Sequence, residues 1–106
     1  MKITELAEFI VKHIKDLEFQ LLNIDDVSGL LKGKLGNSYD SQTAYSVKQV
    51  LVEHDKIDFF KEGTYVYQQK FYYCIGTWLC YKGAYENPVQ AKQTAKIVDY
   101  EIFDEE

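Results

Sequence analysis

Six side chains at helical spacing carry the most legible chemistry of this chain: Gln42, Thr43, Tyr45, Ser46, Lys48 and Gln49. A glutamine amide offers a donor and an acceptor side by side, which matches the edge of adenine in a major groove. Lys32, Lys34 and Lys61 add ammonium groups suited to phosphate contact. The same residues also describe an ordinary solvated helix face, so spacing alone leaves both readings open. Other reactive types are present but poorly arranged. His13, His54, Cys74 and Cys80 contain the atoms of a zinc site, yet a Cys-x₅-Cys spacing without a close histidine pair fits no common zinc pattern. A Cys–His nucleophile lacks an orienting group. The acids Asp25 and Asp26 read as helix-start residues, and Asp104-Glu105-Glu106 as a solvated tail. No phosphate-binding glycine loop, nucleophile elbow or dinucleotide fingerprint occurs. The expectation is a protein without metal, cofactor or catalytic residues.

Three helices and a set of short strands must position these groups. Ile3, Leu6, Ala7, Ile10, Ile14 and Leu17 form one apolar stripe, predicting a helix over residues 4–16 with Glu8 and Lys12 as an i, i+4 pair. Residues 17–22 read as a short extended link. A second helix starts near Asn23 as cap, carries Val27, Leu30, Leu31 and Leu35, and stops at Gly36-Asn37. A third runs over residues 41–54, capped by Asp40 or Ser41, with Ala44, Val47 and Leu51 inward. Strand-forming runs at 57–60 and 64–68 flank Lys61-Glu62-Gly63, which reads as a hairpin turn. Residues 71–80 favour strand, with Gly76 as a bulge or turn. Asn87-Pro88 starts a short helix to about residue 96, and residues 97–103 alternate as a last strand.

Composition bounds the class. The chain has 106 residues, a single-domain length. Its 15% aromatic content excludes disorder over the whole chain. The net charge is −5, and all twelve basic residues are lysine. Absence of arginine removes the usual bidentate reader of guanine and phosphate, and global charge argues mildly against nucleic acid. Locally the balance reverses: residues 29–50 hold Lys32, Lys34 and Lys48 against the single Asp40. No run approaches the ~18 apolar residues that span a bilayer, so no membrane partner is expected. Without an export signal at the N-terminus, Cys74 and Cys80 read as reduced thiols of a cytoplasmic protein.

Val27-Ser28-Gly29-Leu30-Leu31, then residues 41–51, then Leu51 to Ile57 followed by Gly63-Thr64-Tyr65, together resemble the winged helix-turn-helix superfamily of DNA-binding domains over residues 3–68. The resemblance implies that the third helix enters the major groove and that the Lys61–Gly63 tip touches the DNA backbone. The expected fold class is α+β, one domain over 1–106. It has a winged-helix-like core of three N-terminal helices and a hairpin wing at 1–68, then a β-rich aromatic extension with one short helix at 69–106. The expected function is a small DNA-binding, transcription-regulatory protein using Lys32, Lys34, Gln42, Thr43, Tyr45, Ser46, Lys48, Gln49 and Lys61 on double-stranded DNA. Dimerisation is expected, since one such module buries too little surface for strong specificity. The alternative is an acidic module that inhibits or modulates a protein partner by occupying its nucleic-acid-binding site. Tyr65, Tyr67, Tyr72, Trp78, Tyr81 and Tyr85 are then the expected protein interface, half of the aromatic cluster facing outward by strand alternation.

Overall fold

A computed structural model describes residues 2–95 and 102–104 of the chain. The class is α+β, with the helices first and then two small antiparallel sheets and a short helix. Helix α1 spans Ile3–Asp16, strand β1 Leu21–Asn23, helix α2 Asp26–Leu35 and helix α3 Ser41–Val52. Strands β2 (Ile57–Phe60), β3 (Gly63–Tyr67), β4 (Lys70–Cys74) and β5 (Trp78–Tyr81) follow, then helix α4 (Pro88–Ala95) and strand β6 (Ile102–Asp104). The remainder of the strand expected over 97–103 lies outside the described residues. Asp104, read as tail, pairs with Tyr72 at the end of β6.

The apolar stripe of α1 is realised: Leu6, Ala7, Ile10, Val11 and Ile14 are buried. Its polar side pairs differently from expectation. Lys12 reaches Asp16 at 3.4 Å, while Glu8 receives His54 Nε2 at 2.8 Å and so ties α1 to the end of α3. Asn23 does not cap α2. It ends β1, and its Oδ1 accepts the Asp25 amide at 2.9 Å, turning the chain into the helix. Asp40 is the cap of α3, its carboxylate accepting the Thr43 amide at 2.7 Å. That bond and a second from the Thr43 side chain hold the Asp40 carboxyl below its ordinary pKa.

The first sheet has the order β1-β5-β2, so the strand latest in sequence sits in the middle. This overturns the hairpin expected at Lys61–Gly63. Residues 57–60 pair with 78–81, not with 64–68. The actual turn lies further on, where Tyr67 faces Lys70 across Gln68-Gln69. β2–β3 and β4–β5 are therefore two sides of one long ribbon. Between Phe60↔Trp78 and Gly63↔Cys74, two residues oppose three, which is a one-residue bulge on the β4–β5 side. Glu62 stitches it: its Oε1 accepts the Gly76 amide at 2.7 Å and its Oε2 the Tyr73 hydroxyl at 3.4 Å. Gly76 has φ +85°, and a Cβ there would lie 3.2 Å from the Trp78 indole nitrogen, so glycine is required.

The sheet is buried on both faces. Leu22, Ile57 and Leu79 point into the core of α1, α2 and α3. Leu21, Phe60, Trp78 and Cys80 point the other way, into a second cluster with Cys74 and Ala91, against which Tyr65, Ala84 and Tyr85 pack. That is why Trp78, Leu79 and Cys80 are three consecutive buried residues. Leu79, beyond residue 68, belongs to the same core as the three helices.

The ribbon turn is a two-residue turn with Gln68 at φ +51° and Gln69 at φ +68°. Positive φ at both central positions is the type I′ pattern, which favours Asn-Gly. Replacing Gln68-Gln69 by Asn-Gly should relieve left-handed strain and stabilise the fold by about 1 kcal/mol. For a domain of this size that is a rise in Tm of roughly 4–8 °C, read by calorimetry. An unchanged or lower Tm would mean the glutamine side chains hold the turn by contacts of their own.

Candidate recognition surface

Helix α3 turns Ala44, Val47 and Leu51 inward. Its opposite face is Gln42, Tyr45 and Gln49, all exposed, with Ser46 half-buried beside them. The helical spacing therefore does put these groups on one solvent face. Tyr45 stands at its centre, 60% exposed, although a ring of that size usually finds cover. Thr43 is half-buried and donates its amide to the cap. Lys48 sits on the flank, half-buried, rather than at the middle of the face. The outward surface of α3 is thus uncharged along its length. The ionised Asp40 stands at its N-terminal end and the exposed Glu53 just past its C-terminal end.

The expected phosphate lysines do not converge on this face. Lys32 lies 5.4 Å from the Tyr39 ring centre and Lys34 only 4.5 Å from that of Phe9, so each is partly occupied by an aromatic contact. Lys61 is exposed, but beside the bulge and not at the ribbon tip. The tip carries Gln68, Gln69 and Lys70, all exposed.

Of the expected aromatic interface, Trp78 is buried and the five tyrosines are half-buried. Trp78 is buried and donates its indole N–H to the Ile75 carbonyl at 3.2 Å. Tyr85 donates its hydroxyl to the Phe19 carbonyl at 2.8 Å, and Tyr65 donates to the Lys61 carbonyl. Burial raises the pKa of both phenols. Tyr81 packs against the helical core on the far side of the sheet, under Lys15. Tyr67 and Tyr72 are half-buried. The exposed apolar residues of the ribbon are others: Val66 at 57%, Phe71 at 54% and Ile75. Val66 and Phe71 are cross-strand partners on the face turned away from the second cluster.

Among the described residues no group of three or more His, Cys, Asp or Glu could hold a metal ion, and no helix is long and apolar enough to cross a membrane. Cys74 and Cys80 are both buried thiols. Compared with known proteins, the chain matches no family profile, no curated protein and no solved structure.

Proposed function

We propose that the protein is a small cytoplasmic recognition module of winged-helix type that binds another protein and has no catalytic step of its own. The winged-helix assignment is supported by the succession α1-β1-α2-α3-β2-ribbon-β5 and by the sheet order β1-β5-β2. The observation that carries the protein-binding reading is the outward face of α3, uncharged, centred on Tyr45 and bounded by Asp40 and Glu53. A duplex carries one negative charge per roughly 1.7 Å of its axis, and carboxylates at both ends of a reading helix oppose its approach. A partner protein imposes no such field, and tyrosine supplies large contact area at low entropy cost. The net charge of −5 suits a partner with a basic, nucleic-acid-binding surface.

DNA binding is the second reading, favoured by Gln42 and Gln49 standing two turns apart on the same exposed face. In that reading Lys32, Lys34, Lys48 and Lys61 contact phosphates and the chain works as a dimer on two half-sites. One pair of variants separates the readings. Tyr45→Ala and the double change Gln42→Ala, Gln49→Ala should both fold, as surface substitutions usually do. In the protein reading, a random duplex pool at moderate salt yields no enriched sequence, and Tyr45→Ala weakens a recovered partner at least about tenfold. Enrichment of a sequence, with discrimination reduced by ~1–3 kcal/mol per lost bidentate contact in the glutamine variant, would overturn it in favour of DNA.

A further inference from the structure

A cleft of about 300 Å³ lies between α1, the turn before β2 and β5, apart from the α3 face. Glu8, Val11, Lys12, Lys15, Asp16, Lys56 and Tyr81 line it. Its five charged side chains are not equivalent. Glu8 is engaged by His54 at 2.8 Å, and Asp16 by Lys12 at 3.4 Å. The two carboxylates therefore have internal partners. Lys15 and Lys56 have none: among the described residues neither ammonium has a carboxylate within 4.0 Å. Lys15 instead stands 5.8 Å from the centre of the Tyr81 ring. In an acidic protein, two uncompensated ammonium groups converge on one concavity whose remaining walls are Val11 and a tyrosine ring.

We propose that this cleft binds a small phosphate ester carrying a flat ring. The volume is at the lower end of small-ligand sites, which excludes large cofactors. Lys15 and Lys56 meet the phosphate oxygens from two elements, each as a compact point charge with rotatable donors. The ring lies against Val11 and the Tyr81 edge, where it removes apolar surface from water. Two lysines contributed by α1 and the turn before β2 favour a dianion over a neutral ligand. Binding to the folded state alone raises the unfolding temperature with the logarithm of ligand excess over Kd.

The test is an amide chemical-shift titration of the full chain with phenyl phosphate, inorganic phosphate and phenol. The expected result is saturable shifts at Lys15, Lys56 and Tyr81, with phenyl phosphate binding at least about fivefold tighter than inorganic phosphate and phenol not saturating. The double variant Lys15→Gln, Lys56→Gln lowers phenyl phosphate affinity at least about tenfold while the rest of the spectrum is unmoved, since both side chains are exposed. Tyr81→Leu weakens phenyl phosphate and leaves inorganic phosphate unchanged. The proposal is overturned by absence of saturable shifts up to roughly 20 mM, far weaker than ordinary ligand affinities. Equal affinity in the lysine variant, or equal affinity for phenyl phosphate and inorganic phosphate, also overturns it.

Discussion

A chain ending at Gln68 should not fold, even though it contains all three N-terminal helices and β1, β2 and β3. It lacks β5, the central strand, so β1 and β2 lose their only partner in the first sheet. It also lacks Leu79, which is fully buried against α1, α2 and α3, and Trp78, which holds the second cluster. Burying one such side chain stabilises by roughly 1.5–3 kcal/mol, and whole domains are stable by only ~5–15 kcal/mol. Several such residues go at once, together with seven cross-strand partner pairs of β5. The fragment is expected to aggregate or to show a broad, non-cooperative thermal transition. A sharp cooperative transition for residues 1–68 would refute the account. In the full chain the same argument predicts that Leu79→Ala costs about 2–5 kcal/mol, because α1, α2 and α3 close on that side chain and cannot collapse into the void.

The second large effect concerns Cys80. Burial pushes its thiol up to about 12 from 9.0, and the nearby Asp58 carboxylate pushes the same way. At pH 8 a difference of that size leaves the native thiol with roughly a thousandfold less thiolate than an unfolded one. Alkylation of the native protein should therefore be much slower than that of the urea-unfolded chain, the higher nucleophilicity of the rarer thiolate offsetting only part of the loss, counted by mass spectrometry at Cys80. Modification at the unfolded rate would show that β5 is open to solvent. The sign for stability follows from proton binding. Below about pH 9 both states hold the thiol proton and stability is unaffected. Between about 9 and 12 the unfolded state releases it while the fold retains it, so stability falls as pH rises. Tyr65 and Tyr85, also raised by burial, add to the same alkaline loss above about pH 10. The melting temperature should be flat from neutrality to about pH 9 and then decline. A rise across that interval would contradict the burial of these groups.

Periodicity carried the helices because each buries a single stripe. Leu6, Ala7, Ile10 and Ile14, and likewise Ala44, Val47 and Leu51, repeat with the helical turn and are all buried, and the solvent face of α3 follows by subtraction. The Asp40 cap was legible for a similar reason: a carboxylate three residues before an amide is a local relation. Strand pairing is not local. Lys61-Glu62-Gly63 has the composition of a turn, yet Gly63 serves a ribbon that continues to Gln68, whose glutamines lack the expected turn chemistry. Local spacing was enough for the α+β class, the three helices and the uncharged face of α3. The return of β5 between β1 and β2, the inward packing of Trp78, Tyr65, Tyr81 and Tyr85, and the outward position of Val66 and Phe71 were set by the tertiary fold. The physical reason is that alternation assigns residues to two faces of a strand but does not say what covers each. Here α4 covers one face of the ribbon and the three-helix core one face of the sheet. The same limit hid the Lys15–Lys56 cleft, whose walls come from α1, the turn before β2 and β5 and meet only when β5 takes its central place.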